Sequence, residues 1–233
     1  MTRPDAWRMA RLVALAAIAA LALPYLIAPF YRFVDPVSTP MMMRWLTGRR
    51  VERVWMPLQT MSPALPVAVI VAEDQRFCAH HGIDFIELRE AVQEADDLSE
   101  ARGGSTITQQ TVKNLFLWGG RSYLRKALEA PLALWFNLAV GKRRTLEIYL
   151  NIATWGPNGE FGAEAGARRA FGRSARDLTP EQAALMAAVL PNPGRRDARS
   201  PSLGVRRLAG IYRARARGSA WTAACLRRPR PPG

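Results

Sequence analysis

The longest uninterrupted apolar run in the chain is Leu12 to Phe30, which carries no charged residue. A helix needs about 20 such residues to cross a hydrocarbon core of about 30 Å. Arg3, Arg8 and Arg11 precede the run, and an excess of arginine marks the cytoplasmic side. The pattern therefore predicts a transmembrane anchor over 12–33, a basic cytoplasmic N-terminus over 1–11, and everything after Tyr31 outside. Ala20-Leu21-Ala22 resembles a signal-peptide cleavage pattern, but the apolar run continues beyond it, which favours an uncleaved anchor.

Past the anchor the periodicity is helical. No alternating run of strand length is bounded by hairpin turns, so the domain is expected to be mainly α. The segment 34–61, with Pro36, Pro40, Pro57, Trp45 and Trp55 among arginines, suits either a juxtamembrane arm at the lipid surface or an extended arm packed on the domain. A domain over 62–194 follows. Ser62-Pro63 reads as an N-cap and first turn of a helix running through Val69, Ile70 and Phe77 to Gly82. The acidic stretch from Asp84 to Arg102 reads as a solvated helix or loop beside a site. Gly103-Gly104 breaks the chain, and Ser105-Thr106 starts the next helix. Ser122 caps another, with Leu124, Leu128, Leu132 and Trp135 as its core-facing stripe and Pro131 as a kink. Thr145 to Asn151 is a short helix, and Thr179-Pro180-Glu181-Gln182 is a capping box for Ala183 to Leu190. A helix around Val205 to Ala216 is expected to give way to a frayed, basic Arg/Pro-rich tail over 195–233.

Charge and sulfur add little to the fold but narrow the setting. The 233 residues carry a formal net charge of +14, and eleven arginines lie from Arg195 onward. Such an end suits an anionic surface or plain solvent. Cys78 and Cys225 form no metal-ligand spacing and are expected to be two free thiols. His80 and His81 are adjacent, so they diverge on any helix. A turn with one hydrogen-bonding imidazole is expected rather than a metal site.

The candidate chemistry centres on Glu73, a carboxylate directly after the apolar run Val67 to Ala72. Gly103-Gly104, Ser105, Thr106, Gln109 and Gln110 at a helix start offer N–H, hydroxyl and amide donors suited to phosphate. The spacing is not that of a Walker loop. Lys113, Arg125 and Lys126 add charge nearby, and Glu129 supplies a second carboxylate. Together these make a general base, an anion clamp and a second acid or orienting group.

The stretches Glu73-Asp74-Gln75-Arg76-Phe77…His80…Gly82…Asp84, Gly104-Ser105-Thr106-Ile107-Thr108-Gln109-Gln110…Lys113-Asn114-Leu115, Arg125-Lys126-Ala127-Leu128-Glu129 and Ile148-Tyr149-Leu150-Asn151 closely resemble the motif series of family 51 peptidoglycan glycosyltransferases. The resemblance spans about Val34 to Pro193, and one domain behind one anchor resembles the family's monofunctional branch. No Ser-x-x-Lys of a penicillin-binding transpeptidase occurs. The resemblance implies a lysozyme-like glycosyltransferase domain in the cell inner membrane, periplasmic in orientation, that polymerises lipid II into β-1,4 glycan by inverting transfer from an undecaprenyl-pyrophosphate donor. By motif, Glu73 is the general base and Glu129 assists it. Asp74, Arg76, Ser105, Thr106, Gln109, Gln110, Lys113, Asn114, Arg125 and Lys126 would bind substrate.

The partners implied are lipid II, the growing glycan, the membrane, and cell-wall synthesis or division proteins. A divalent cation, Mg or Mn, on the pyrophosphate is compatible with the family, although the sequence shows no metal-ligand cluster. Asn137 stands where many relatives carry a further glutamate, and Gly141-Lys142 replaces a usual Ser-Lys. A lysozyme-like hydrolase is the rival enzyme, and it would need no pyrophosphate clamp. A tethered nucleic-acid binder is opposed by the outward topology, so no nucleic-acid partner is expected. At Glu73, desolvation and the charge of Arg76 pull the pKa in opposite directions.

Overall fold

The computed structural model describes residues 3–93, 104–120, 122–218 and 223–226. Glu94, Asp96, Asp97, Glu100 and Gly103, and the tail beyond 226, lie outside the described residues. Among the described residues the architecture is mainly helical, as the sequence pattern predicts. A long first helix, α1 (Arg3–Ile27), belongs to a segment, Trp7–Arg32, that is long and apolar enough to cross a membrane. Its side chains from Trp7 onward are mostly exposed. At its end the chain turns into a short 3-10 helix whose Ala28 is fully buried.

The arm packs on the domain. Helix α2 (Thr39–Leu46) is capped by Ser38, and Thr39 Oγ1 donates to the carbonyls of Asn114 and Leu117. Strand β1 (Glu52–Arg53) pairs in parallel with β2 (Glu160–Phe161). At two residues each, these strands are too short to leave an alternating signature. Beyond them, the Asn151 side chain bonds both the N–H and the carbonyl of Met56 at 2.8 Å, and Glu147 accepts the Leu58 N–H.

Two buried clusters share a wall made by α5 (Ile107–Phe116) and α7 (Lys142–Ile152). Leu146 and Leu150 face one cluster with Leu65, Ile70 and Phe77. Ile148 and Ile152 face the other with Val112, Leu132 and Phe136. This explains why α7 is buried almost all round. Helix α3 (Ala64–Glu73) lies against α9 (Pro180–Val189) and α10 (Leu203–Arg217). The capping box at Thr179 and Gln182 forms as expected. Helix α8 (Ala163–Phe171) links β2 to α9.

Several expectations need correction. Ser62 does not cap α3, because its hydroxyl donates to the Leu178 carbonyl at 2.7 Å. The helix also stops at Glu73 rather than reaching Phe77, since Asp74 turns to an extended backbone (φ −165°). Helix α6 (Tyr123–Val140), capped by Ser122, runs unbroken through Pro131, but its buried face is Glu129, Leu132, Ala133 and Phe136. Leu124 and Trp135 of the expected stripe point outward, with Tyr123 and Leu138. A helix facing lipid or a partner need not hide its apolar residues, and this outward face lies beside α1: Trp135 Nε1 donates to the Tyr25 carbonyl at 2.9 Å.

The cysteines are not free: Cys78 and Cys225 form a disulfide across 147 residues of sequence. Periodicity cannot reveal a contact of that range. The bridge fastens the 3-10 turn Ala224–Leu226 to the segment after Glu73, and Arg143 Nη1 donates to the Leu226 carbonyl beside it. A native crosslink of a long loop contributes about 2–4 kcal/mol. The double variant Cys78→Ser/Cys225→Ser should therefore unfold in urea with stability lower by about that amount. A difference within experimental error, or two titratable thiols in the wild-type protein, would count against the bridge.

Candidate functional site

The site grows from the end of α3. Leu65, Pro66 and Ala68 to Val71 are buried, so the carboxylate that follows is carried to the edge of the core without leaving it. Glu73 Oε2 accepts a hydrogen bond from Gln110 Nε2 at 2.9 Å. Gln110 is oriented in turn by the Tyr149 hydroxyl, which donates to its Oε1 at 3.1 Å. Tyr149 is fully enclosed, and desolvation, followed by the charges of Glu73 and Asp74, pushes its pKa well above the usual value. It therefore stays a donor. Glu73 Oε1 is buried and has no hydrogen-bond partner.

Desolvation raises the pKa of Glu73 above the ordinary carboxylate value. The Gln110 hydrogen bond, Lys113 and Arg196 oppose that shift, and Asp74 adds to it. Arg76 is not among these influences. Its Nε is committed to Asp84 Oδ2 at 2.9 Å, while Asp84 Oδ1 caps α4 (Phe85–Gln93) by accepting the Ile86 and Glu87 N–H groups.

Asp74, next to Glu73, is structural glue. Its carboxylate meets His80 Nε2 at 2.9 and 3.0 Å and accepts the Ile107 N–H at 2.9 Å. Gly82 N–H donates to His80 Nδ1, so Nδ1 is unprotonated and Nε2 carries the hydrogen. One hydrogen-bonded imidazole in a turn is what the sequence suggested. Gly82 itself has φ +107° and comes so close to α6 that a Cβ would stand 2.5 Å from the Ala133 carbonyl. Only glycine meets both demands.

These contacts alter the expected anion site at the start of α5. Thr106 and Gln109 form a reciprocal capping box, and Thr106 Oγ1 also donates to the Gly82 carbonyl at 2.6 Å. Both side chains are buried and spent on the protein. The Ile107 N–H is taken by Asp74, so a carboxylate of the protein already answers the positive end of the helix. Ser105 remains half-exposed at this corner, and Asn114 half-buried one turn beyond Gln110.

Positive charge comes instead from side chains further along. Lys113 is electrostatically coupled to Glu73, Glu129 and Arg125, and burial lowers its pKa, with the two glutamates opposing that shift. Glu129 is buried on α6, with Arg125 Nη1 3.7 Å from its Oε2. Desolvation raises its pKa against Arg125, Lys113 and Lys126. The Arg125–Glu129 pair is thus an enclosed one rather than a surface ion pair, and Arg125 Nε is buried with no partner. Lys126 is exposed on the same turn.

Three participants escaped sequence reasoning: Tyr149, Arg196 and Lys142. Tyr149 had a signal, its place in a family motif. Arg196, assigned to a basic tail, reaches the surroundings of Glu73 while its Nη1 donates to the Ala188 carbonyl at 2.9 Å. Among the described residues no three of His, Cys, Asp and Glu stand together to hold a metal ion. The described side chains therefore assemble no metal centre of their own.

The transglycosylase family model matches residues 40–214. The chain belongs to the transglycosylase family. The match begins in the arm and ends within α10, taking in every residue of the site. A biosynthetic peptidoglycan transglycosylase of Nitrobacter winogradskyi is 58% identical over 212 residues, 91% of this chain and 94% of its own. One from Rhodopseudomonas palustris is 56% identical over 216 residues, covering 93% and 92%. One from Agrobacterium fabrum is 45% identical over 220 residues, covering 94% and 97%.

Removing the Asp74 carboxylate would strand the buried Ile107 N–H and His80 Nε2–H, each costing about 1–3 kcal/mol. Asp74→Ala should accordingly lower unfolding stability by about 3 kcal/mol or more. A loss under about 1 kcal/mol in urea titration would refute the structural role.

Proposed function

We propose that this protein is a peptidoglycan transglycosylase that polymerises lipid II, with Glu73 as the general base. The observation that carries the reading is the state of the Glu73 carboxylate: one oxygen accepts from Gln110, which Tyr149 orients, and the other is buried and unbonded. Such an oxygen has a free lone pair, little competition from water, and an affinity for protons raised by desolvation.

The acceptor GlcNAc 4-hydroxyl gives its proton to the Glu73 carboxylate as its oxygen attacks C1 of the donor MurNAc. The bond from C1 to the undecaprenyl pyrophosphate breaks on the opposite face, so the α link becomes β. Negative charge grows on the departing pyrophosphate. Lys113, Arg125 and Lys126, ranged around Glu129, supply the compensating charge. Glu129 holds Arg125 and Lys113 in position rather than receiving the proton, since both cations already claim it.

The apolar α1 suits a membrane anchor, and the outward face of α6 beside it suits contact with lipid. A Cys78–Cys225 disulfide persists in oxidising compartments, which supports a periplasmic domain behind an inner-membrane anchor independently of the arginines near the N-terminus. The cationic cluster favours the polymerase over a hydrolase, which has no pyrophosphate to accommodate.

Glu73→Gln should lower glycan formation from lipid II by about 10²–10⁴-fold while lipid II still binds. Near-normal polymerisation would remove Glu73 from the role, and cleavage of preformed glycan without polymer would favour the hydrolase. Because burial raises the folded-state pKa of Glu73, its contribution to stability is full below the ordinary carboxylate value and is lost as pH rises through the folded value. The same variant should therefore melt at a higher temperature than wild type at neutral pH. The wild-type rate should fall on the acid side at a pH above the ordinary glutamate value of 4.5, and a limb at or below 4.5 would argue against a desolvated base.

A further inference from the structure

We infer that Lys142 is a positioning residue for the transfer reaction, its ammonium group acting through His80 and Asp74 to hold the first turn of α5 and the Gln110–Glu73 pair in register. Lys142 opens α7, and its Nζ lies 3.3 Å from His80 Nδ1 and 4.4 Å from the centre of the Phe77 ring. His80 Nε2 meets Asp74, and Asp74 accepts the Ile107 N–H. Ile107 begins the helix that carries Gln110, and Gln110 holds Glu73. The path joins α7 to the carboxylate in four contacts, the two through Asp74 buried and the two at its ends partly buried.

The charges facing this lysine are few. Asp74 and Asp84 attract it, Arg76 is taken up by Asp84, and His80 presents its unprotonated nitrogen. Glu87 on α4 feels Asp74, Asp84 and His80 and has its own pKa raised, chiefly by desolvation. On α7 itself, Arg143 turns to Leu226 and Gln59, and Arg144 to Asp35 and Glu147. Burial outweighs the two aspartates and brings the Lys142 pKa down from 10.5 to about 8.

Losing that proton removes the cation from the Phe77 face and leaves Asp74 with only neutral partners. It also replaces a charge-assisted contact at His80 Nδ1 by a neutral one, which loosens the imidazole that holds Asp74. The inference rests on Glu73 as the base, but the two can fail separately. Glu73→Gln tests the base whatever Lys142 does, and the imidazole can be followed without turnover.

The experiment uses the full chain in detergent. It measures kcat and KM with lipid II from pH 6 to 10, and the ring ¹⁵N signals of His80 and His81, the protein's two histidines. In wild type, kcat should fall as pH rises through about 8 with KM nearly constant, and the His80 ring signals should shift over the same range. Lys142→Met should lose about ten- to a hundredfold in kcat at neutral pH and lack the alkaline limb.

Thermal melting separates positioning from folding. The depressed pKa means the charged lysine opposes folding, and that opposition fades as pH rises from about 8 toward 10.5. Wild type should therefore gain stability relative to Lys142→Met over the range in which it loses kcat, whereas a purely structural lysine would move both together. An alkaline limb that persists in Lys142→Met, or a change confined to KM, would overturn the inference. Should that variant not fold, His80 signals in wild type that stay unchanged between pH 7 and about 9.5 would overturn it alone.

Discussion

The buried carboxylate of Asp74 is the constraint on which the site depends. Taking a charge out of water is costly unless hydrogen bonds replace its solvation. Asp74 finds replacements in two places distant in sequence, His80 and the first N–H of α5. By meeting its own needs it brings the end of α3 against the start of α5, which is where Glu73 meets Gln110. The Glu73 carboxylate next door is treated in the opposite way, with one oxygen left unbonded. Adjacent acids thus divide the work: one is satisfied so that the other need not be.

This division explains why little of the first turn of α5 is left free for the phosphate its composition suggests: Asp74 takes the Ile107 N–H and the capping box takes those of Thr106 and Gln109. Free N–H groups at a helix start attract whatever anion can reach them, and here Asp74 reaches them first. In the proposed reaction the charge of the leaving group falls to the side chains of Lys113, Arg125 and Lys126, gathered around the buried Glu129. Side chains can follow charge as it moves from the sugar to the pyrophosphate more readily than backbone amides locked in a capping box.

Much of this was legible in the chain because it is local. The capping box at Thr179, the helix start at Ser105-Thr106, the N-cap at Ser122 and the mainly helical character follow from residues within a few positions of one another. The motif series brought Glu73, Gln110, Lys113, Arg125 and Glu129 forward together, and the structure makes them neighbours. What stayed hidden is long-range. The Cys78–Cys225 bridge joins positions whose surroundings have nothing in common. Tyr149 reaches Gln110 from α7, and Arg196 comes from a segment whose arginine content reads as solvated. The α6 stripe was misjudged because hydrophobic spacing identifies an apolar face without saying what covers it. Leu124, Trp135 and Leu138 are as apolar as Leu132 and Phe136, and only the fold decides which set turns inward.

The junction between α1 and the domain has a mechanical meaning. Trp135 grips the Tyr25 carbonyl, and the buried Ala28 follows within three residues, so the long helix enters the domain through a stiff joint. An enzyme on a slack tether samples many heights and tilts above its surface. Here, in the proposed membrane setting, the joint acts as a gauge that holds Glu73 at one distance from the bilayer. A lipid-linked donor, whose sugar cannot rise beyond the reach of its own pyrophosphate, would meet the site at a single elevation, and the lengthening polymer would leave at a constant angle.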